Sequence, residues 1–193
     1  MPQLERMFED PDCAERLRWA AEHEFEEGVV TDVTESPAFA DFVQRDDFFR
    51  RDVRNIVLAL CADGVNPWSG SQHSMWLVFA QVLNFAPSLR SRFSNMLLLG
   101  IVHGPKSPSS MNAFLAPLVD ELLFWGLHGW HTFDAFKNEF FELEARLLLT
   151  LLDYPAAAKV QLTANSGTTA YTGWRRLLPI GHEWRTDVDL FGS

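Results

Sequence analysis

Three apolar runs separated by polar connections mark the middle of the chain: Ile56 to Ala62, Met75 to Leu83 and Met96 to Val102. With short polar links between them, they predict strands in an antiparallel meander. Period alone does not separate such continuous runs from buried helix. Further on, Met111, Phe114, Leu115, Leu118, Leu122 and Leu123 recur at helical spacing and predict a helix whose Phe/Leu stripe is core. Ser109 or Ser110 is the expected cap, Pro117 should bend it, and Gly126 and Gly129 should end it. From Phe141 to Leu151, apolar residues alternate with Glu142, Glu144 and Arg146 and then run together, as in one long strand, half exposed at first and then buried. It stops at Asp153-Tyr154-Pro155, and Ala156 to Gln161 can form a short helix.

The first part of the chain has a helical pattern. Asp12 and Glu15 fit a capping box, followed by Leu17, Ala21 and Phe25 at every fourth position, with Gly28 as a stop. Ser36-Pro37 predicts a second helix start, with Pro37 at its first position. Asp46 to Asp52 looks like a docking linker. The expected organisation is therefore a helical lead-in over residues 1–54, an α/β core over 55–161, and a weakly patterned tail over 162–193.

A chain of 193 residues, 47% hydrophobic, with 16 Phe and 7 Trp, is globular and long enough for one sizeable core. No apolar run approaches the ~20 residues of a membrane span. The charged N-terminus has no apolar signal core. Cys13 and Cys61 show no pairing pattern and predict reduced thiols in an intracellular setting. A net charge of −10 repels nucleic acid overall; basic clusters at Arg50-Arg51, Arg90 to Arg92 and Arg175-Arg176 are small.

The chemistry centres on Asp63. An apolar run that ends in a carboxylate needs solvent, a partner or a metal for that charge. Asp63-Gly64 followed by Asn66-Pro67 also suits a plain turn. The order strand, strand, strand, helix, strand, with one Asp at the end of the first strand and Asp153 after the fourth, is the ribonuclease H-like order, a mixed sheet whose first and fourth strands are neighbours. Asp63 and Asp153 would then converge. Two such carboxylates suit Mg²⁺ or Mn²⁺, which take oxygen ligands together with substrate phosphates, in two-metal phosphoryl transfer.

Five segments resemble the catalytic region of CACTA (En/Spm-type) DNA transposases: Ala14 to Trp19 (AERLRW), Arg54 to Pro67 (RNIVLALCADGVNP), Gly104 to Pro108 (GPKSP), Phe114 to Leu122 (FLAPLVDEL) and Leu149 to Ala156 (LTLLDYPA). They stand in family order and cover most of residues 1–176. The resemblance implies a ribonuclease H-like fold, DNA cleavage and joining at transposon ends in the nucleus, and metal-binding catalytic roles for Asp63 and Asp153. Two departures point to an incomplete remnant. Trp174 and Leu177 stand where the family has a Cys-x-x-Cys, and the third acidic residue lies downstream of where this chain stops. Glu183, Asp187 and Asp189 are the carboxylates the tail offers in its place.

Lys106 in GPKSP could contact a phosphate as a point charge, or be an exposed loop lysine. His128 and His131 have a metal-like spacing but read as a solvated or capping pair, and His103 as a loop histidine. A second class of function stays open: a non-catalytic domain in which Trp174 and Trp184 dock a protein partner or a second copy.

Overall fold

A computed structural model describes residues 2–24, 26, 29–65, 74–104, 108, 111–153, 156, 157 and 160. The N-terminal part is helical: α1 (Pro2–Glu9), α2 (Pro11–Arg16), α3 (Trp19–Glu22), α4 (Pro37–Gln44) and α5 (Phe48–Arg51). Strands β1 (Ile56–Val65) and β2 (Ser74–Val82) follow, then a short α6 (Pro87–Arg90), β3 (Met96–Gly104) and the long α7 (Asn112–His128). The hairpin β4 (Trp130–Asp134) and β5 (Glu139–Leu143) and the strand β6 (Ala145–Leu151) complete the order. The result is α/β, with a mixed four-stranded sheet in the order β3-β2-β1-β6 and a separate two-stranded sheet. Among the described residues, no helix is long and apolar enough to cross a membrane.

Local chemistry sets most element boundaries. Ser36 caps α4 by accepting the Phe39 N–H at 3.2 Å, with Pro37 in the first turn, as the Ser-Pro pair predicts. Asp10, and not Asp12, caps α2. Its carboxylate accepts the Asp12 and Cys13 N–H groups because Pro11, which has no N–H to satisfy, takes the first helical position. The expected single helix breaks at Leu17 and resumes as α3; its expected later residues Phe25 and Gly28 lie outside the described residues. The supposed linker folds into a 3₁₀ turn and α5. Of the two glycines expected to end this helix, Gly126 lies within it and the helix continues to His128. Gly129 ends it with φ +68°, a left-handed position that favours glycine. The expected caps Ser109 and Ser110 lie outside the described residues.

Two corrections concern the downstream half. The long strand expected over 141–151 is two strands: β5 belongs to the hairpin and β6 to the main sheet. The break falls at Glu144, whose N–H donates to the Asn55 side chain at 3.0 Å. The Phe/Leu stripe of α7 is not all core either, since Phe114, Leu123, Phe124 and Leu127 are exposed and Trp125 is the helix's buried residue. A helix apolar on every side carries no pattern that selects one buried face.

The chain divides into two compact units. One holds Met1–Leu60, Phe79–Leu98 and Leu118–Thr150. Phe39, Phe48, Val57, Ala59 and Leu83 form a buried cluster there, with Phe42, Phe49, Leu148 and Leu149 against it. Each buried Phe, Val or Leu of the cluster contributes roughly 1.5–3 kcal/mol. Polar ties are dense. Asp134, fully buried, receives Arg18 and Arg54, each at 3.2 Å. Asp134 faces Glu139 across the hairpin, and Arg54 bridges these like charges while lying 3.8 Å from the centre of the Phe141 ring. Burial opposes the charge on Arg54, but Asp52, Asp134 and Glu139 together raise its pKa, and Arg54 in turn lowers that of Asp52 against burial. The second unit holds Cys61–Val78, Leu99–Pro117 and Leu151–Ser193, with Cys61, Ala62, Trp76, Val78 and Met111 among its buried residues.

A pair of buried asparagines fixes the start of β1. Asn84 donates to the Asn55 C=O and accepts the Val57 N–H, both at 2.8 Å. Asn55 donates to the Phe48 C=O at 2.7 Å and accepts from Glu144. Replacing Asn84 with Ala leaves a buried donor and a buried acceptor unpaired, a loss of about 3 kcal/mol. Urea denaturation should show a lower midpoint with an unchanged slope; a loss below about 1 kcal/mol would count against this role.

Asp32 makes a second polar tie, accepting from Arg90 at 2.6 and 2.8 Å and from Thr34. Burial raises its pKa, but Arg90 and Thr34 outweigh burial and hold it at about 2, below the ordinary 3.8. A depressed carboxylate stabilises the fold above its unfolded pKa and loses that contribution as pH falls through the folded one. Wild-type stability should therefore drop between about pH 4 and pH 2 more steeply than that of Asp32→Asn, followed by denaturation at stepped pH. Parallel pH profiles would contradict the assignment.

Candidate functional site

β1 is buried from Ile56 through Ala62 and becomes exposed at Asp63 and Gly64. It does not turn at Asp63-Gly64: extended structure continues to Val65. Asn66 and Pro67, expected to turn the chain, lie outside the described residues. Asp63 is thus a strand residue that reaches solvent where the strand leaves the core. Asp153 lies just beyond β6, also exposed.

The hydrogen bonds set the relation of the two strands. The Ile56 N–H donates to the Glu144 C=O at 2.8 Å, so the start of β1 lies beside the start of β6 and the pair runs parallel. Leu83 N–H donates to the Val57 C=O at 2.9 Å, bringing the end of β2 to the start of β1 in an antiparallel pair. The C-terminal ends of β1 and β6, which carry Asp63 and lead into Asp153, therefore lie at the same end of the sheet. Asp153 is held by its own turn. One carboxylate oxygen accepts the Ala156 N–H at 2.8 Å, and its C=O accepts the Ala157 N–H at 2.8 Å. This N-cap geometry leaves the other carboxylate oxygen available.

Charge is distributed unevenly. Among the described residues of the second unit, Asp63 and Asp153 are the acidic residues, and neither lysine nor arginine occurs. No hydrogen bond or ion pair to a described residue engages the Asp63 carboxylate. In the other unit, Asp32, Asp52, Asp134, Glu139 and Glu144 are all tied to arginines. Two exposed carboxylates with no cationic partner among the described residues, at one end of a sheet, are a hard-oxygen donor set that fits Mg²⁺ or Mn²⁺. Among the described residues, no group of three or more His, Cys, Asp or Glu is placed to hold a metal ion. Water and substrate oxygens would complete any shell built on the two aspartates.

The backbone of β1 beside Asp63 is closely covered. A Cβ built on Gly64 would lie 3.0 Å from Cε2, 3.1 Å from Cζ2 and 3.2 Å from Nε1 of Trp76, a residue of β2 that is 5% exposed. In sequence, Gly64 suits a turn and Trp76 is one member of an apolar run. The available signal was a glycine within an extended segment, which often marks a close approach.

The remaining candidates separate. Lys106, Glu183, Asp187, Asp189, Trp174, Trp184 and Leu177 lie outside the described residues. His103 is an exposed residue of β3 rather than of a loop. His128 ends α7, whereas His131 lies in β4, pairs with Glu142 at 3.0 Å and stacks on Phe140, a solvated cross-strand contact. An open cavity of about 490 Å³ lies in the first unit, lined in part by Arg6, Asp10, Asp12, Cys13 and Arg16. Its two arginines are matched by two aspartates. Burial, aided by Asp10, pushes the Cys13 thiol up to about 11, so no thiolate forms there at neutral pH. The cavity contains neither Asp63 nor Asp153 and carries no comparable chemistry.

The fold and site thus define an α/β chain with two exposed carboxylates, one near the end of β1 and one just beyond β6, at the same end of its sheet. Residues 27–165 match the family described as Transposase family tnp2, a span that covers well over half of the chain and contains both aspartates. The chain belongs to this transposase family. No curated protein and no solved structure matches it.

Proposed function

We propose that the chain is a CACTA (En/Spm-type) transposase catalytic region with a ribonuclease H-like core, in which Asp63 and Asp153 bind Mg²⁺ or Mn²⁺ for phosphodiester cleavage and strand transfer at transposon ends in the nucleus. The observation that carries this reading is the pair of carboxylates, unmatched by any lysine or arginine among the described residues of their unit, at the ends of adjacent parallel strands. Family membership supplies the substrate class, DNA. The sheet order β3-β2-β1-β6 agrees with the ribonuclease H-like order, in which the first and fourth strands are neighbours, with β6 in the fourth strand's place.

Each residue's part follows from its setting. Asp63 extends from a strand whose preceding seven residues are buried, and it is itself exposed. Asp153 commits one oxygen to capping its own turn, which orients the other. Bound divalent cations supply activation of the attacking oxygen and stabilisation of the leaving one. The carboxylates would offset the cationic charge and fix its place.

The full chain should bind Mn²⁺ in a calorimetric titration, and Asp63→Asn should weaken binding by ~10- to 100-fold. Mn²⁺-dependent nicking of supercoiled plasmid by the wild type should fall to background in Asp153→Ala. Unchanged Mn²⁺ affinity in Asp63→Asn would overturn the metal-site assignment. Cleavage that persists in Asp153→Ala would remove Asp153 from the chemistry.

A further inference from the structure

We propose that Trp76 and Gly64 form a backstop that positions the Asp63 carboxylate, with Trp76 acting as a positioning residue behind the strand that carries the ligand. This rests on the reading of Asp63 as a metal ligand. In a strand, neighbouring side chains point to opposite faces. The Cβ direction of Gly64 is filled by the Trp76 indole, so Asp63, the preceding residue, projects from the opposite face. The indole supports β1 from behind, directly beside the residue that presents the carboxylate in front.

Three observations make this contact specific. The backbone of Gly64 does not require glycine: its φ is not in the left-handed region, in contrast to that of Gly129. Space does require it. The indole atoms that a Cβ would meet at 3.0–3.2 Å belong to a rigid ring on a buried residue, not to the end of a flexible chain. Gly100, also within a strand, has no atom within 4 Å of the corresponding position, so close cover is not a general property of glycines in this sheet. A methyl group at position 64 must therefore displace the indole or push β1 toward the face from which Asp63 projects. The required shift is a few tenths of an ångström. That is small for folding but large for metal ligation, where ligand distances hold to about 0.2 Å.

A stabilising role alone makes a different prediction. Glycine weakens strands, so alanine at an unconstrained strand site leaves stability unchanged or improved. The test measures Mn²⁺ affinity by titration and thermal midpoint in parallel on the full chain. Gly64→Ala should weaken Mn²⁺ binding by roughly five- to tenfold, since displacements near 1 Å can cost up to ~10²-fold, while the metal-free midpoint moves little. Trp76→Phe removes the crowded ring atoms, so Gly64→Ala/Trp76→Phe should bind within about twofold of Trp76→Phe alone. Gly100→Ala should match the wild type. Wild-type affinity in Gly64→Ala, with Asp63→Asn still defective, would overturn the backstop and leave the metal site standing. Wild-type affinity in Asp63→Asn, or no Mn²⁺ binding by the wild type, would overturn the metal-site reading itself. If Gly64→Ala does not fold, Trp76→Ala tests the same contact with glycine intact, and undiminished affinity in that variant would equally overturn the backstop.

Discussion

The buried amides of Asn55 and Asn84 hold the start of β1 in register. Asn84 behaves as a piece of extra strand: its side chain donates to one backbone group of β1's entry and accepts from another. Asn55 reaches both ways, to Phe48 at the end of the helical lead-in and to Glu144 at the entry of β6. An unpaired amide group in such a place costs about 1–3 kcal/mol, so each of these bonds penalises any other alignment. A slip of one residue would turn Asp63 toward the opposite face. The placement of the exposed carboxylate is therefore decided at the far end of its strand.

Charge follows the same division of labour. Where the lead-in meets β1 and the hairpin, carboxylates and arginines are buried together and satisfy one another. Asp134 takes two guanidinium groups and two turn N–H groups, and Arg54 relieves the opposition of Asp134 and Glu139. Such networks resist the loss of any one member, because the remainder would be left charged and unpaired. The unit that holds Asp63 and Asp153 has no lysine or arginine among its described residues. The two carboxylates are tolerated because both reach water, which is also what the proposed metal site requires.

Local chemistry was legible in the sequence wherever it acted locally. The apolar run of β1 ending on an acid, the Ser36-Pro37 helix start and the stop at Gly129 all follow from residues within one or two turns of each other. Most of what failed was decided at long range. The alternation from Phe141 to Leu151 is continuous, yet the chain divides at Glu144 because its N–H bonds to Asn55, 89 positions away. The WHTFD segment of β4 is too short and polar to declare itself as a strand without its partner. Asp10 rather than Asp12 caps α2 because Pro11 fits the first helical turn, a local rule that a capping-box spacing overrode.

Asp63-Gly64 joins the two scales. By local preference the pair is a turn, since both residues suit one. In the structure β1 continues through it, and the buried Trp76 side chain occupies the space that any residue larger than glycine would fill. The glycine serves closeness rather than flexibility. It lets an aromatic ring from β2 lie against the backbone where the core ends, so the strand stays extended for the residues that carry the carboxylate into solvent. A turn would have exposed Asp63 too, but on a mobile backbone. A supported strand exposes it on a fixed one, which is the condition a metal ligand has to meet.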